Sequence, residues 1–158
     1  MIIGSATLLI LLVLFTTTAI YNRQLNLLKS MIQAGDASGV SKLIVEHPAL
    51  LNADLQPDRH DKIKPLSFAA GLGQEAICSN LLVLGEDVNE VDKYHYTPLH
   101  QTILPDETNV AILLIKNGAN ISLKDFTGLT PLDMAKKYNA SSNMIKILSE
   151  AASFSTKK

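Results

Sequence analysis

The sequence predicts an all-α protein: a solenoid of about four helix-turn-helix repeats preceded by a single N-terminal transmembrane helix. Three observations carry this. Pro-Leu recurs at equal intervals, at Pro65-Leu66, Pro98-Leu99 and Pro131-Leu132. Gly85 and Gly118 keep the same interval, as do Asp92 and Asp125. Landmarks of different chemistry that share one period mark a repeated supersecondary unit, not chance composition. Finally, residues 2–20 carry no charged side chain and include an aliphatic block over 8–15.

That first segment accounts for the apolar bias of the chain, which is 47% hydrophobic and 18% charged over 158 residues. A helix of such length rises about 28 Å at ~1.5 Å per residue, against a bilayer core of roughly 30 Å. Thr16, Thr17 and Thr18 fit there because their hydroxyls can bond back to carbonyls of their own helix. A buried soluble helix would need a core packed around its whole circumference, which a thin stack of repeats cannot supply. A cleaved secretory signal is the stronger alternative. Residues 8–15 would be its apolar region and Thr17-Thr18-Ala19 its small-residue cleavage site, but no Lys or Arg precedes the run. Residues 1–21 are therefore read as an uncleaved anchor whose partner is the lipid bilayer, through 2–20. Cleavage, giving a periplasmic or secreted protein, stays open. Arg23 and Lys29 follow the span closely, and the positive-inside bias puts the repeats on the cytoplasmic side of a single-pass membrane protein.

Residues 22–158 form the repeat domain, with units at about 27–58, 59–91, 92–124 and 125–154. The third opens with Thr97-Pro98-Leu99-His100 and closes with Gly118-Ala119-Asn120. A T-P-L-H tetrapeptide on a 33-residue period resembles the ankyrin repeat. The tetrapeptide has a mechanical reading. Pro98 fits the first helical turn, where its missing N–H is not needed. The Thr97 hydroxyl caps the helix, and His100 is close enough to bond back to it or to the neighbouring unit.

The other units depart from that pattern in definite places. The first, with Leu27, Leu28, Met31 and Ile32 and then Val40, Leu43 and Ile44 at helical spacing, lacks the tetrapeptide, as amino-terminal caps often do. The interval from Gly35 to Gly73 exceeds the period, so a lengthened loop is expected within 46–64. The second unit keeps only Pro65-Leu66, between Lys64 and Ser67. In the third, Asp106 stands where the family has Gly. Pro105 should end the first helix by Leu104, and Asp106 could take the left-handed region and cap the next helix. The fourth keeps Thr130, Pro131 and Leu132 but has Asp133 in place of His. Its later part loses the landmarks and runs into polar residues, as a carboxyl-terminal cap does.

Chemistry is harder to find. There is no phosphate loop, paired Cys-x-x-Cys, G-x-S-x-G or H-E-x-x-H. His47, His60 and His95 have no ligand spacing, so neither a metal nor a cofactor is expected, nor a small-molecule substrate or an enzymatic activity. A net charge of −1 gives no reason to expect nucleic acid. Cys78, the single cysteine, excludes an internal disulfide and falls in an apolar helical run as a small hydrophobe.

The resemblance implies protein binding through the hairpin tips and the exposed, concave side of each first helix. Those positions are His60, Asp61, Ile63, Gly71 and Leu72, then Lys93, Tyr94, Tyr96, Leu104 and Pro105. In the fourth unit they are Phe126, Thr127, Leu129, Lys137 and Tyr138. Tyr94, Tyr96, Phe126 and Tyr138 are half of the chain's aromatics, and exposed rings on a rigid face favour a protein partner. Two roles are open: a membrane-tethered adaptor or scaffold, and an inhibitor similar to bacterial immunity proteins that cap a toxic effector enzyme.

Overall fold

The computed structural model describes residues 3–56 and 62–155, excepting the side chains of 3–9, 11, 12, 154 and 155. Helix α1, Ile3–Ala34, is one unbroken rod. After Gly4 it meets no Gly or Pro until Gly35, so nothing interrupts its hydrogen-bond ladder where charged residues begin. Its far half is core: Leu25, Leu28 and Ile32 are buried. Its near half exposes Ile10, Val13, Leu14, Phe15 and Ile20. The hydroxyls of Thr16, Thr17 and Thr18 donate to Val13 and Leu14 carbonyls at 2.9, 2.9 and 2.8 Å, so their polarity is absorbed within the helix. Among the described residues no helix is long and apolar enough to cross a membrane. The transmembrane helix expected over 2–20 falls in good part on residues 1–9, 11 and 12, outside the described side chains.

Behind α1 the chain alternates short helices. Helix α2, Ala37–Glu46, starts at Asp36, whose carboxylate accepts from the Gly39 N–H. A 3₁₀ turn, Pro48–Asn52, occupies the region where a lengthened loop was expected. Then come α3 (Pro65–Gly71), α4 (Glu75–Val83), α5 (Pro98–Gln101), α6 (Thr108–Lys116), α7 (Pro131–Lys137) and α8 (Ser142–Ser155). Each odd helix packs on the next even one. The odd helices also contact each other in a row, as do the even ones. Two helical layers result, with Leu66, Leu99, Ile77, Leu81, Leu114 and Leu148 sealed between them at 1% exposure or less. No strand is present among the described residues.

Backbone geometry repeats with the sequence period even where residue type does not. Positive φ recurs between helices at Gly73, Asp106 and Asn139 (70°, 62°, 56°), and at the tips at Lys62, His95 and Gly128 (54°, 59°, 83°). Each series keeps the interval of the Pro-Leu pairs. Asp106 thus takes the left-handed conformation expected of it, but it does not cap α6. Its carboxylate instead accepts from the Ser141 N–H and hydroxyl at 3.3 and 3.0 Å, at the head of α8 in the next unit. Helix α5 ends at Gln101, ahead of Leu104 as expected, and the chain turns through 102–106.

The second unit solves its missing tetrapeptide by a different route. Lys64 stands in register with Thr97 and Thr130 and makes no side-chain cap. In the first turn of its helix the Leu66 N–H instead donates to Glu86 Oε1 at 2.8 Å, from the far end of the same unit. Glu86 is only 5% exposed, and its Oε2 is buried without a hydrogen-bond partner. Burial pushes its carboxyl up to about 8, with Glu90 adding to the rise and the Leu66 N–H and Lys64 opposing it.

Candidate functional site

The tips are built around two aspartates. Asp92 Oδ1 accepts from the N–H groups of Tyr94 and Tyr96 at 2.8 and 2.9 Å. Asp125 Oδ1 accepts from the Thr127 N–H and hydroxyl and from the Leu129 N–H, at 2.8, 2.7 and 3.0 Å. Backbone bonds Asp92 N–Tyr96 O and Asp125 N–Leu129 O close each turn, and the Phe126 N–H donates to the Tyr94 carbonyl, joining neighbouring tips at 2.9 Å. Burial works against ionisation of Asp125, but its hydrogen bonds outweigh that and hold its pKa below the usual value.

Below the tips, the tetrapeptide performs as its chemistry suggests. The Thr97 hydroxyl accepts from the His100 N–H at 3.3 Å, and His100 Nδ1 accepts from the Thr97 N–H at 3.2 Å. With Nδ1 an acceptor, the ring proton is on Nε2, which donates to the Leu129 carbonyl at 3.2 Å and ties the third unit to the fourth. Burial lowers the His100 pKa, against the opposing pull of the Leu129 carbonyl and Asp125, so the ring stays neutral and structural. Thr97→Ala removes this reciprocal cap and is expected to lower stability by about 1 kcal/mol. An unchanged denaturation midpoint would show that the cap carries no net stability.

Rigid tips bring three of the expected rings together. Tyr94 and Phe126 have centroids 5.5 Å apart, Tyr94 and Tyr96 6.4 Å, and Tyr96 and Phe126 6.3 Å at an interplanar angle of 83°. Phe126 is 62% exposed and Tyr94 39%, whereas Tyr96 is half-buried against the His100 ring. Lys93 lies over Tyr94, its Nζ 4.7 Å from the centroid. Tyr138, 51% exposed, lies under Lys137. The Tyr96 phenol is raised by burial and by the nearby Asp125, Tyr138 and Asp92.

Ile63 and Leu72 meet elsewhere, at a shallow cavity of about 160 Å³ shared with Phe68 and Gln101. Leu129 is half-buried, Pro98, Leu99 and Pro131 are structural, and Leu132 is half-buried at the outer unit. His60 and Asp61 lie outside the described residues. A larger groove of about 450 Å³ runs between Tyr96, Gln101, Leu104, Pro105 and Met134. Gln101 and Met134 were not expected there. With Phe68 they occupy one register position, one period apart, and that spacing was a usable signal.

Among the described residues no three His, Cys, Asp or Glu side chains gather to hold a metal ion. Cys78 is buried, and burial pushes its thiol up to about 12, with Glu86 and Glu75 adding to the rise and a backbone hydrogen bond opposing it. Such a thiol is not a nucleophile at neutral pH.

A family model of ankyrin repeats, described as three copies, matches residues 17–125 and again 66–158. The chain belongs to the ankyrin-repeat family. Human neurogenic locus notch homolog protein 1 is 33% identical over 102 residues, 65% of this chain. The zebrafish protein of that name is 33% identical over 99 residues, 63% of the chain, and human neurogenic locus notch homolog protein 2 is 33% identical over 92 residues, 58%. The chain spans only 4% of the length of each of these relatives. Ankyrin repeats are in general non-catalytic protein–protein interaction modules.

Proposed function

We propose that this protein is a membrane-anchored adaptor that holds a protein partner on the face made by its tips and first helices. The observation that carries the reading is the cluster of exposed Tyr94 and Phe126 with half-buried Tyr96, fixed by the backbone bond between adjacent tips. Rings held in place by the scaffold bury large apolar area on binding with little loss of freedom. Anchoring is supported by the uncharged run 2–20 and by the exposed aliphatic half of α1. Arg23 and Lys29 favour a cytoplasmic repeat stack.

Replacing Tyr94, Tyr96 and Phe126 together by Ser is expected to weaken capture of a partner by several kcal/mol while leaving the thermal melt nearly unchanged. Pull-down by the full chain in detergent, beside the melt, decides it. Normal capture removes the tip site, and unfolding makes the rings packing residues. Anchoring is tested separately by alkaline carbonate extraction and intact mass. A soluble species beginning near residue 20 would refute it.

A further inference from the structure

The chain is almost neutral, with 14 Lys and Arg against 15 Asp and Glu, yet its charges are sorted by layer. The first helices and tips comprise residues 22–34, 62–72, 92–105 and 124–138. They carry Arg23, Lys29, Lys62, Lys64, Lys93, Lys124, Lys136 and Lys137, against Asp92, Asp125 and Asp133. The second helices and adjoining turns (36–46, 75–90, 106–118 and 142–155) reverse the balance, with nine Asp or Glu against Lys42, Lys116 and Lys146. The formal charge conceals an excess of cations in the first layer and of carboxylates in the second, the two meeting where Lys64 Nζ and Glu90 Oε1 pair at 3.5 Å, although Glu86 is buried.

Asp92, Asp125 and Asp133 are turned to the protein itself. Asp92 and Asp125 accept the tip N–H groups, and Asp133 Oδ2 accepts from the Thr130 N–H and hydroxyl at 3.2 and 2.7 Å. Three of the cations stand over aromatic rings. Lys93 lies over Tyr94, Lys137 over Tyr138 at 5.4 Å, and Lys29 over Phe68 at 5.9 Å. The 450 Å³ groove, with Leu104, 66% exposed, at its side, adjoins them: Tyr94 stacks against Tyr96 in its wall, and Phe68 shares a neighbouring cavity with Gln101.

We propose that the partner is an acidic protein segment, with Asp or Glu flanking an aliphatic or aromatic anchor that enters the Tyr96–Leu104–Met134 groove. This rests on the tip face being the binding face, as proposed above, and adds the partner's chemistry. Charged rims around an apolar centre steer and orient a complementary partner, while the buried anchor supplies most of the affinity. A phosphate backbone or lipid headgroup would meet the lysines but leave the apolar groove empty.

The test pans a phage-displayed library of random dodecapeptides over the full chain in phosphatidylcholine nanodiscs. Enriched peptides are expected to combine Asp or Glu with a large apolar residue and to weaken with salt. A Lys93→Glu, Lys137→Glu variant with an unchanged melt is expected to bind them at least tenfold more weakly. Enrichment of neutral or basic peptides, or none, overturns the proposal. So does tighter binding of a twelve-nucleotide oligothymidylate or of phosphatidylserine vesicles than of the best peptide. Neutral peptides that are lost when Tyr94, Tyr96 and Phe126 become Ser would leave the binding face standing and remove only its acidic partner. Peptides indifferent to that replacement remove both.

Discussion

Glu86→Gln is expected to raise stability near pH 8.5 by an amount on the order of a few kcal/mol and to change it little near pH 4. The folded protein holds the Glu86 proton up to about pH 8, well above the ordinary value of 4.5. Between those limits the folded state carries a proton that the unfolded chain has released, so stability falls as pH rises through the window. Below it both states are protonated, and above it both are charged, so the contribution is level on either side. Each unit of difference corresponds to about 1.4 kcal/mol. Gln keeps an oxygen for the Leu66 N–H but has no charge to strip of water. Glu86→Ala loses that acceptor as well and is expected to be destabilising by about 1 kcal/mol at low pH, where the wild-type carboxyl is neutral. Chemical denaturation of wild type and Gln variant from pH 4 to pH 9 measures the difference. Parallel profiles would mean that Glu86 is not buried in its charged form.

Leu99→Ala is expected to cost about 2–5 kcal/mol, the range for a buried leucine whose surroundings collapse incompletely. Leu99 has no exposed surface, and its helix α5 lies between α3 and α7 in the row of first helices. A solenoid holds each unit through its neighbours, so a defect here loosens the junctions on both sides and should broaden the unfolding transition as well as lower it. Leu132→Ala, at the same motif position but half-buried in the outer unit, should cost clearly less. Equal losses for the two would show that position along the stack does not matter.

What the sequence revealed was local chemistry on a fixed period. Pro65, Pro98 and Pro131 open helices, and Thr97 and Thr130 cap two of them. Tyr94, Tyr96 and Phe126 could be placed on neighbouring tips because two registers coincide. Bonds made between distant segments were not legible. The Glu86–Leu66 cap joins opposite ends of one unit, and the Asp106–Ser141 bond crosses from one unit to the next. Both depend on packing that no short window contains. The groove escaped notice for another reason: Phe68, Gln101 and Met134 share a register position but no chemistry, so a search by residue type passes over them. At the tips, Lys62 and His95 adopt the left-handed conformation that Gly128 adopts, although neither is a glycine. The boundary drawn at residues 21–22 followed a change in hydropathy. A helix ends where its backbone is interrupted, and Gly35 provides the first such place after residue 4.

The continuity of α1 makes the bearing of the whole stack a matter of residue count. Each residue added between Ile20 and Arg23 would swing everything downstream by roughly 100° and advance it by about 1.5 Å. Two additions would point the aromatic tips nearly the opposite way about the rod. Seven would return them to within roughly 20° of their starting direction. No contact inside the repeats need change in either case. What reaches a partner is then set by azimuth, which the spelling of the tip residues does not encode.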